Sequence, residues 1–154
     1  MGTELNIKCF DCGYTKNIIL GIGMRYGDVL SLDPSNTLLP TLFRSKKMIE
    51  EIKFLVNHKH ATYDSSNFNS YGHELFRCNK CHEFYGRFHL ELTHDDGTYK
   101  TEYNCPKCKV KLERLYSDKK LELFEEQKLD IEKYPCPKCG KYNLVNFNGL
   151  VMWD

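Results

Sequence analysis

Hydrophobic and polar residues alternate through residues 84–92, in the middle of the chain. The even positions carry Phe, Gly, Phe, Leu and Leu, and the odd positions carry Tyr, Arg, His and Glu. A period of two is typical of a half-buried β-strand. Residues 95–97 (Asp-Asp-Gly) supply a turn, and the inner face continues on a return strand through Tyr99, Thr101 and Tyr103. The pattern predicts a central β-hairpin.

Charges in this hairpin discriminate between its registers. A two-residue turn at Asp96-Gly97 would place Glu91 opposite Glu102, and like charges directly opposite are destabilising. A four-residue loop from His94 to Gly97 keeps the same faces and places Glu91 opposite Lys100. We predict the four-residue loop, with the further pairs His89–Glu102, Leu92–Tyr99 and Phe88–Tyr103. The predicted buried face contains Phe88, Leu90, Leu92 and Tyr103.

A helical period predicts an amphipathic helix from about Thr41 to His58. Its apolar face contains Met48, Ile49, Ile52, Leu55 and Val56, and its polar face contains Glu50, Glu51 and Lys53. Lys46 and Lys47 would oppose the helix dipole if Ser45 were the N-cap. We therefore predict an earlier start, near Pro40, because proline is favoured in the first turn of a helix.

The remaining segments carry weaker signals. Residues 17–20 predict a short strand, and the glycines of residues 21–27 predict a tight bend. Residues 63–72 predict a polar loop with interleaved aromatics, which either stack on bases or bind a partner protein, or else cover the edge of the ribbon. Residues 121–133 fit a strand or a short helix equally. The C-terminus predicts a second hairpin that turns at Asn148-Gly149.

All eight cysteines lie in C-x-x-C pairs, here called knuckles. They are Cys9 and Cys12, Cys78 and Cys81, Cys105 and Cys108, and Cys136 and Cys139. The N-terminus carries no charged-then-apolar stretch, so we expect a cytoplasmic protein in a reducing compartment. There, C-x-x-C repeats indicate metal sites rather than disulfides. Two knuckles place four sulfurs around one tetrahedral ion, so four knuckles predict two complete four-cysteine sites.

The two inner knuckles frame the predicted hairpin, and the whole segment resembles a zinc ribbon. Val110, Leu112, Arg114 and Tyr116 are candidates for its third strand. The outer segments Cys9-Phe10-Asp11-Cys12-Gly13-Tyr14 and Cys136-Pro137-Lys138-Cys139-Gly140 resemble the two halves of a rubredoxin-type knuckle pair. The resemblance implies a nested arrangement, the first knuckle with the fourth and the second with the third. Sequential pairing is the first alternative, since the 27 residues between Cys108 and Cys136 also suit a ribbon, and an interleaved cross-brace is the second.

These expectations combine into an α+β fold, a small antiparallel β zinc-ribbon architecture with two four-cysteine metal sites and one main helix. Residues 1–154 are expected to form a single compact unit. Within it, 1–37 plus 134–154 would form the rubredoxin-like outer metal site, 38–62 a helical insert, and 72–117 the inner zinc ribbon.

Composition and charge narrow the function. The chain has 154 residues, of which 28% are charged and 41% hydrophobic, as in a soluble globular protein without a membrane span. Eight thiolates subtract eight charges and two divalent ions add four, which turns the formal net charge of +1 into −3. An acidic chain is a poor non-specific nucleic-acid binder. Closed all-cysteine sites and the absence of a nucleophile triad favour a non-enzymatic protein.

We therefore expect a protein with two structural zinc ions per chain that binds another protein. One alternative is a nucleic-acid-binding zinc ribbon, with the aromatic loop and the basic residues Lys107, Lys109, Lys111, Arg114, Lys119 and Lys120 as its contacts. The other is a rubredoxin-like electron carrier with iron at the outer site, since a sulfur tetrahedron accepts either ion.

Overall fold

A computed structural model describes residues 2–22, 39–67, 69–115 and 130–153. Its strands are β1 (Gly2–Cys9), β2 (Thr15–Gly21), β3 (Tyr71–Arg77), β4 (Phe84–His94), β5 (Gly97–Lys100), β6 (Glu113–Arg114) and β7 (Leu144–Trp153). The helices are α1 (Leu39–Leu42) and α2 (Lys46–Lys59), followed by a 3₁₀ turn (Ile131–Lys133). Every strand pair is antiparallel, and α2 is the main helix, which confirms the α+β class. No helix in the described ranges is long and apolar enough to cross a bilayer.

The strand order is β5-β4-β3-β2-β1-β7, with β6 attached to β3. The sheet divides between β2 and β3, which pair only at Gly21 and His73. At its C-terminal end, β3 pairs with β6 instead of β2. There β2 crosses β4 so closely that a Cβ atom on Gly86 would lie 2.9 Å from Ile18 Cγ2. Glycine at position 86 therefore permits the two halves of the sheet to pack together.

Two apolar cores and a smaller cluster result from this arrangement. The first core lies under α2 and contains Ile52, Phe88, Leu90 and Leu92, among others. The second lies between the two halves of the sheet, where Ile7 and Ile18 pack with Leu75, Phe84 and Leu144. The third cluster surrounds the inner cysteines and includes Phe76 and Leu112. Each cysteine cluster is thus attached to an apolar core.

The register of the central hairpin is confirmed, but its loop is shorter than predicted. Glu91 lies opposite Lys100, as the charge argument requires. The ladder then continues to His94 opposite Gly97, which leaves Asp95-Asp96 as a two-residue turn. The same register therefore arises from a tighter turn than the predicted four-residue loop.

The far end of the hairpin differs from the prediction. Because β5 ends at Lys100, the predicted cross-strand pairs His89–Glu102 and Phe88–Tyr103 are absent from the described ladder. The Tyr103 hydroxyl instead donates to the Phe88 carbonyl. Phe88, Leu90 and Leu92 are buried, as predicted, whereas Tyr103 is only half-buried. His89, placed on the outer face by the alternation, is also buried, because Arg114 and Thr101 cover it.

The predicted start of the main helix was wrong. Ser45 is the N-cap of α2, and its hydroxyl accepts a hydrogen bond from the Met48 N–H at 3.3 Å. An N-cap contributes about 1 kcal/mol, which is at least as much as the unfavourable dipole term of an exposed lysine. Pro40 belongs to the separate one-turn helix α1. The predicted apolar face is confirmed, with Ile52 fully buried at its centre.

Strand β3 was not predicted, and it begins in the segment interpreted as an aromatic loop. Tyr71 is buried and its ring lies 5.0 Å from that of Tyr63, so both rings belong to the core under α2. Phe68 lies outside the described residues. Residues on both faces of β3 are packed against other parts of the chain. A strand that is buried on both faces lacks the alternation of apolar and polar residues that identifies a half-buried strand. In the predicted third ribbon strand, Glu113 and Arg114 pair with β3, Lys111 forms an isolated bridge to Asn104, and Tyr116 lies outside the described residues.

The predicted C-terminal hairpin was also wrong. β7 is one continuous strand of ten residues, and it pairs with β1 from Cys9 opposite Leu144 to Gly2 opposite Trp153. The partner of this segment is therefore the N-terminal strand and not its own second half.

Two further predictions lie partly outside the described residues. These are residues 23–27 of the predicted bend and residues 121–129 of the segment that fits a strand or a short helix.

Candidate metal centres

The outer cluster is assembled by β1, which lies between β2 and β7 in the sheet. Cys9 ends β1, and Cys12 lies in the turn to β2; Cys136 and Cys139 lie in the turn before β7. The Sγ atoms of Cys9 and Cys139 are 3.7 Å apart, and those of Cys12 and Cys136 are 3.6 Å apart. All four Sγ atoms lie within 4.8 Å of one another. This grouping agrees with the nested arrangement.

The inner cluster lies at the base of β3 and β4. Cys78 and Cys81 form the turn between these strands, and Cys105 and Cys108 follow β5. The Sγ atoms of Cys81 and Cys105 are 3.7 Å apart, and the four Sγ atoms of this cluster again lie within 4.8 Å of one another. The alternative sequential pairing, with Cys9 beside Cys78, is not the grouping that the described chain adopts.

All four knuckles share one backbone geometry. The N–H of the first cysteine donates to the carbonyl five residues later, at 2.8 to 3.0 Å, and the N–H four residues later donates back to that cysteine's carbonyl, at 2.8 to 3.1 Å. The residue four positions after the first cysteine has a positive φ in every case. These residues are Gly13, His82, Lys109 and Gly140, with φ of 69°, 61°, 60° and 74°. The glycines noted in the outer knuckles thus mark a turn that the inner knuckles form without glycine.

Hydrogen bonds to sulfur favour thiolates in both clusters. Backbone N–H groups donate at 3.4 Å to the Sγ atoms of Cys78, Cys105 and Cys136. The Tyr85 hydroxyl lies 3.4 Å from Cys105 Sγ. Burial raises the pKa of the Cys105 thiol, but the Tyr85 hydroxyl and the backbone donors outweigh burial and lower that pKa to about 6. Burial likewise raises the pKa of the Cys9 thiol, but backbone donors outweigh it and lower that pKa to about 7.

Other thiols in the same clusters shift the opposite way. Burial and the neighbouring sulfurs raise the pKa of Cys12 to about 12, and the same causes raise the pKa of Cys108 to about 12. Negative charge on one sulfur therefore keeps the next sulfur protonated. A divalent cation at the centre removes this repulsion, so each cluster favours a bound metal ion at neutral pH.

Sulfur spacing provides a test of fit. A tetrahedral ion with bonds of about 2.3 Å to sulfur separates its ligands by about 3.8 Å. The Sγ–Sγ separations of 3.6 and 3.7 Å are close to this edge length. They are far longer than the roughly 2.05 Å of a disulfide bond. The donor set fits a thiophilic tetrahedral ion in both clusters.

The two outer knuckles are also joined directly by side chains. Asp11 in the first knuckle accepts from Lys141 at 3.2 Å and from Asn143 at 2.9 Å. These contacts hold the pKa of Asp11 below its usual value, with the Asn143 hydrogen bond as the larger cause. Lys138 in the fourth knuckle donates to the Cys12 carbonyl at 3.1 Å. The outer cluster is therefore held by polar contacts as well as by its sulfurs.

A polar bridge connects the outer cluster to the inner one. Tyr14, two residues after Cys12, donates to the Glu83 carboxylate at 2.6 Å. Glu83, two residues after Cys81, also binds Lys107 in the third knuckle at 3.2 Å. Burial raises the pKa of Glu83, but its Tyr14 and Lys107 partners outweigh burial, so the carboxyl group stays ionised. Three of the four knuckles therefore meet at one carboxylate.

Arg77 is a buried cation beside the inner cluster. It precedes Cys78, its guanidinium binds Asn79 at 3.1 Å and His82 at 2.6 Å, and it lies 4.8 Å over the Tyr134 ring. Its side chain forms no ion pair with a carboxylate in the described part of the chain, and its Nε has no hydrogen-bond partner. A buried cation requires a compensating negative charge nearby.

The basic residues named for nucleic-acid binding are mostly engaged elsewhere. Lys107 binds Glu83, and Lys111 forms an ion pair with Glu102. Arg114 is half-buried in a bidentate pair with Glu74 and also reaches His89. Lys109 supplies the left-handed position of its knuckle. Lys119 and Lys120 lie outside the described residues.

Three functional side chains beside the knuckles were not predicted from the sequence. Tyr14, Glu83 and Arg77 lie within two residues of a knuckle cysteine, so proximity along the chain was the available signal. The hydrogen bond between Tyr14 and Glu83 joins residues 69 positions apart, and no local sequence pattern indicates it.

The fold and site together define an α+β protein with two four-cysteine clusters that could each bind a metal ion. No family model matches the chain, and comparisons with curated proteins and with solved structures also find no match.

Proposed function

We propose that this is a non-enzymatic zinc-binding protein whose two four-cysteine centres hold the fold and present it to another protein. The observation that carries the proposal is the grouping of the sulfurs into two sets of four, each within 4.8 Å. Four thiolates complete the coordination of a tetrahedral ion and leave no position for a substrate or a catalytic water. The inner centre, with its hairpin, is then a zinc ribbon, and the outer centre is a rubredoxin-like pair of knuckles.

Arg77 supports occupancy of the inner centre. A divalent ion with four thiolates carries a net charge of −2, which would be the counter-charge that the buried guanidinium otherwise lacks. The residue reaches the second knuckle through Asn79 and His82. We therefore assign Arg77 to the electrostatic environment of the inner ion, where it offsets the charge of the thiolates.

Exposed aromatics on the outer knuckles support a protein partner. The Phe10 side chain is 59% exposed in the first knuckle, and Tyr142 is 70% exposed directly after the fourth. Aromatic residues are enriched in the buried centres of protein interfaces. Lys8 lies 5.6 Å over the Phe10 ring and would form part of the polar rim of that contact.

Metal analysis of the purified chain tests the zinc assignment. We expect two zinc ions per chain and a colourless protein. Iron at the outer centre would give a visible thiolate-to-iron absorption and would select the electron-carrier alternative. Absence of bound metal after purification under reducing conditions would contradict the proposal.

The partner assignment has its own test. With two zinc ions retained, Phe10→Ser combined with Tyr142→Ser should reduce partner binding strongly. Phe54→Ser is the matched control, since Phe54 is 53% exposed on α2, away from both cysteine clusters. Binding that falls steeply with salt and survives the double substitution would favour a nucleic acid instead.

A further inference from the structure

The two cysteine clusters differ in accessibility. Cys139 is exposed, and the other seven cysteines are buried or half-buried. In the inner cluster Cys78 and Cys105 are fully buried, and Cys81 and Cys108 are half-buried. A small oxidant in solution therefore reaches the outer cluster first, at Cys139.

The surroundings of the Cys139 sulfur also favour attack on an oxidant. In the described ranges its Sγ contacts other cluster sulfurs, and no backbone N–H or hydroxyl donates to it. By contrast, Cys105 Sγ accepts from the Cys108 N–H and contacts the Tyr85 hydroxyl. In a metal-loaded cluster every sulfur is already a thiolate, so a sulfur without hydrogen-bond donors keeps more of its nucleophilicity, and exposure controls its access to the oxidant.

Cys9 is placed to react with an oxidised Cys139. Its Sγ lies in the first knuckle, 3.7 Å from the Cys139 Sγ in the fourth knuckle. A cysteine that ligates a metal ion is deprotonated, so Cys9 is already a thiolate in the loaded centre. An exposed thiolate with a second thiolate in contact is the arrangement of a redox-sensitive pair.

We propose that Cys139 is the site at which hydrogen peroxide oxidises the outer centre, which forms a Cys9–Cys139 disulfide and releases the outer ion. This inference rests on the proposed function, because it requires a metal-loaded chain. The inner centre keeps its ion, since its sulfurs are less accessible.

The chemistry is balanced in two steps. The Cys139 thiolate attacks one peroxide oxygen, the O–O bond breaks, hydroxide leaves and Cys139 becomes a sulfenic acid. The Cys9 thiolate then attacks that sulfur, the S–S bond forms, the S–O bond breaks and a second hydroxide leaves. Both hydroxides take protons from solvent. Two thiolates thus lose two electrons, and one peroxide becomes two waters.

Oxidation would change the outer knuckles without separating them. The new disulfide joins the same two turns, and the contacts of Asp11 with Lys141 and Asn143 need no metal. The exposed Phe10 and Tyr142 lie on or directly after these turns.

The experiment uses the full chain loaded with two zinc ions and treated with one equivalent of hydrogen peroxide. Zinc release is followed with a chromogenic chelator, and peptide mapping locates the disulfide. We expect release of one ion, a Cys9–Cys139 disulfide and reduced Cys108. Cys139→His retains a ligand set of three cysteines and one histidine, and it should slow the release of this ion several-fold. Phe54→Ser, an exposed change on α2, is the control and should release zinc at the wild-type rate.

The possible failures are distinguishable. A chain that binds no zinc at the outer cluster before treatment overturns the proposed function, and with it this inference. Two bound ions that leave at the same rate overturn the inference alone. A first disulfide within the inner cluster, or an unchanged release rate in Cys139→His, also overturns it.

Discussion

The Tyr14 hydroxyl donates a hydrogen bond of 2.6 Å to Glu83, and this contact joins the two candidate metal centres. Each residue lies just beyond the second cysteine of its own knuckle. The Glu83 side chain is only 12% exposed and binds Lys16 and Lys107 as well as Tyr14. Tyr14 and Glu83 are 69 residues apart in the sequence, so a single carboxylate links two cysteine clusters that are distant along the chain.

Removing this hydroxyl should destabilise the metal-loaded protein. Tyr14→Phe leaves a mostly buried carboxylate with one donor fewer, which costs about 1–3 kcal/mol. We expect this loss in urea unfolding, together with faster release of zinc to a chelator. Tyr142→Phe is the control, because that residue is 70% exposed and its loss of a hydroxyl should change stability little. Equal effects in the two variants would contradict the bridge.

Metal removal should unfold the inner ribbon. A structural zinc ion contributes roughly 10 kcal/mol or more to the folding of a small domain. We expect chelation at neutral pH, or Cys105→Ser combined with Cys108→Ser, to abolish the ordered hairpin signals in NMR spectra. Zinc addition should restore them in the chelated chain and not in the double variant. A melting curve that is the same with and without metal would refute this prediction.

Arg77 should tune the affinity of the inner centre. Loss of a residue that orients the metal ligands or offsets their charge typically reduces the metal affinity about 10–100-fold. We expect the zinc affinity of Arg77→Leu to fall within this range. Arg77→Lys keeps the charge and should lose less. Arg44→Leu serves as the control, since Arg44 is exposed and lies before α2. Competition with a zinc chelator measures all three affinities, and an Arg77→Lys variant as weak as Arg77→Leu would exclude the electrostatic role.

Folding stability should decrease in mild acid because of His89. Burial, with Arg114 and Lys100 nearby, lowers its pKa to about 3 in the folded protein. The unfolded chain has an ordinary histidine pKa of about 6.5, so below that pH the unfolded state binds a proton that the folded state does not. The free energy of unfolding should therefore decline from about pH 6.5 toward the folded pKa.

His89→Gln isolates this contribution. Its stability should decline less than that of the wild type between about pH 7 and pH 5.5, in zinc-loaded samples of both. Asn57→Ala, an exposed change on α2 that removes no titratable group, should keep the wild-type slope. Parallel profiles for wild type and His89→Gln would contradict the lowered pKa of His89 in the folded protein.

Gly86 should tolerate no side chain. In Gly86→Ala the new Cβ would lie 2.9 Å from Ile18 Cγ2, and Ile18 is buried and has a stiff, β-branched side chain. Overpacking of this kind costs about 1–3 kcal/mol. Thermal unfolding of Gly86→Ala, Ile18→Ala and the double variant should show a combined loss smaller than the sum. Additive losses would mean that the two positions do not press on each other.

Local patterns in the sequence determined a substantial part of this protein. The four knuckles, the period-two alternation of β4 and the helical face of α2 each depend on residues within one turn or one strand. The hairpin register followed from the charges of Glu91 and Lys100, which pair as predicted. Such features can be predicted because their physical cause and their sequence signature lie in the same short segment.

Tertiary structure decided the features whose partners are distant in sequence. β7 has the local pattern of a hairpin but pairs with β1, at the opposite end of the chain. His89 alternates as an outward residue but is buried by Arg114 from another strand. The Tyr14–Glu83 contact forms only when the two halves of the sheet meet. Burial and long-range pairing depend on which surfaces the whole chain brings together, and no local pattern contains that information.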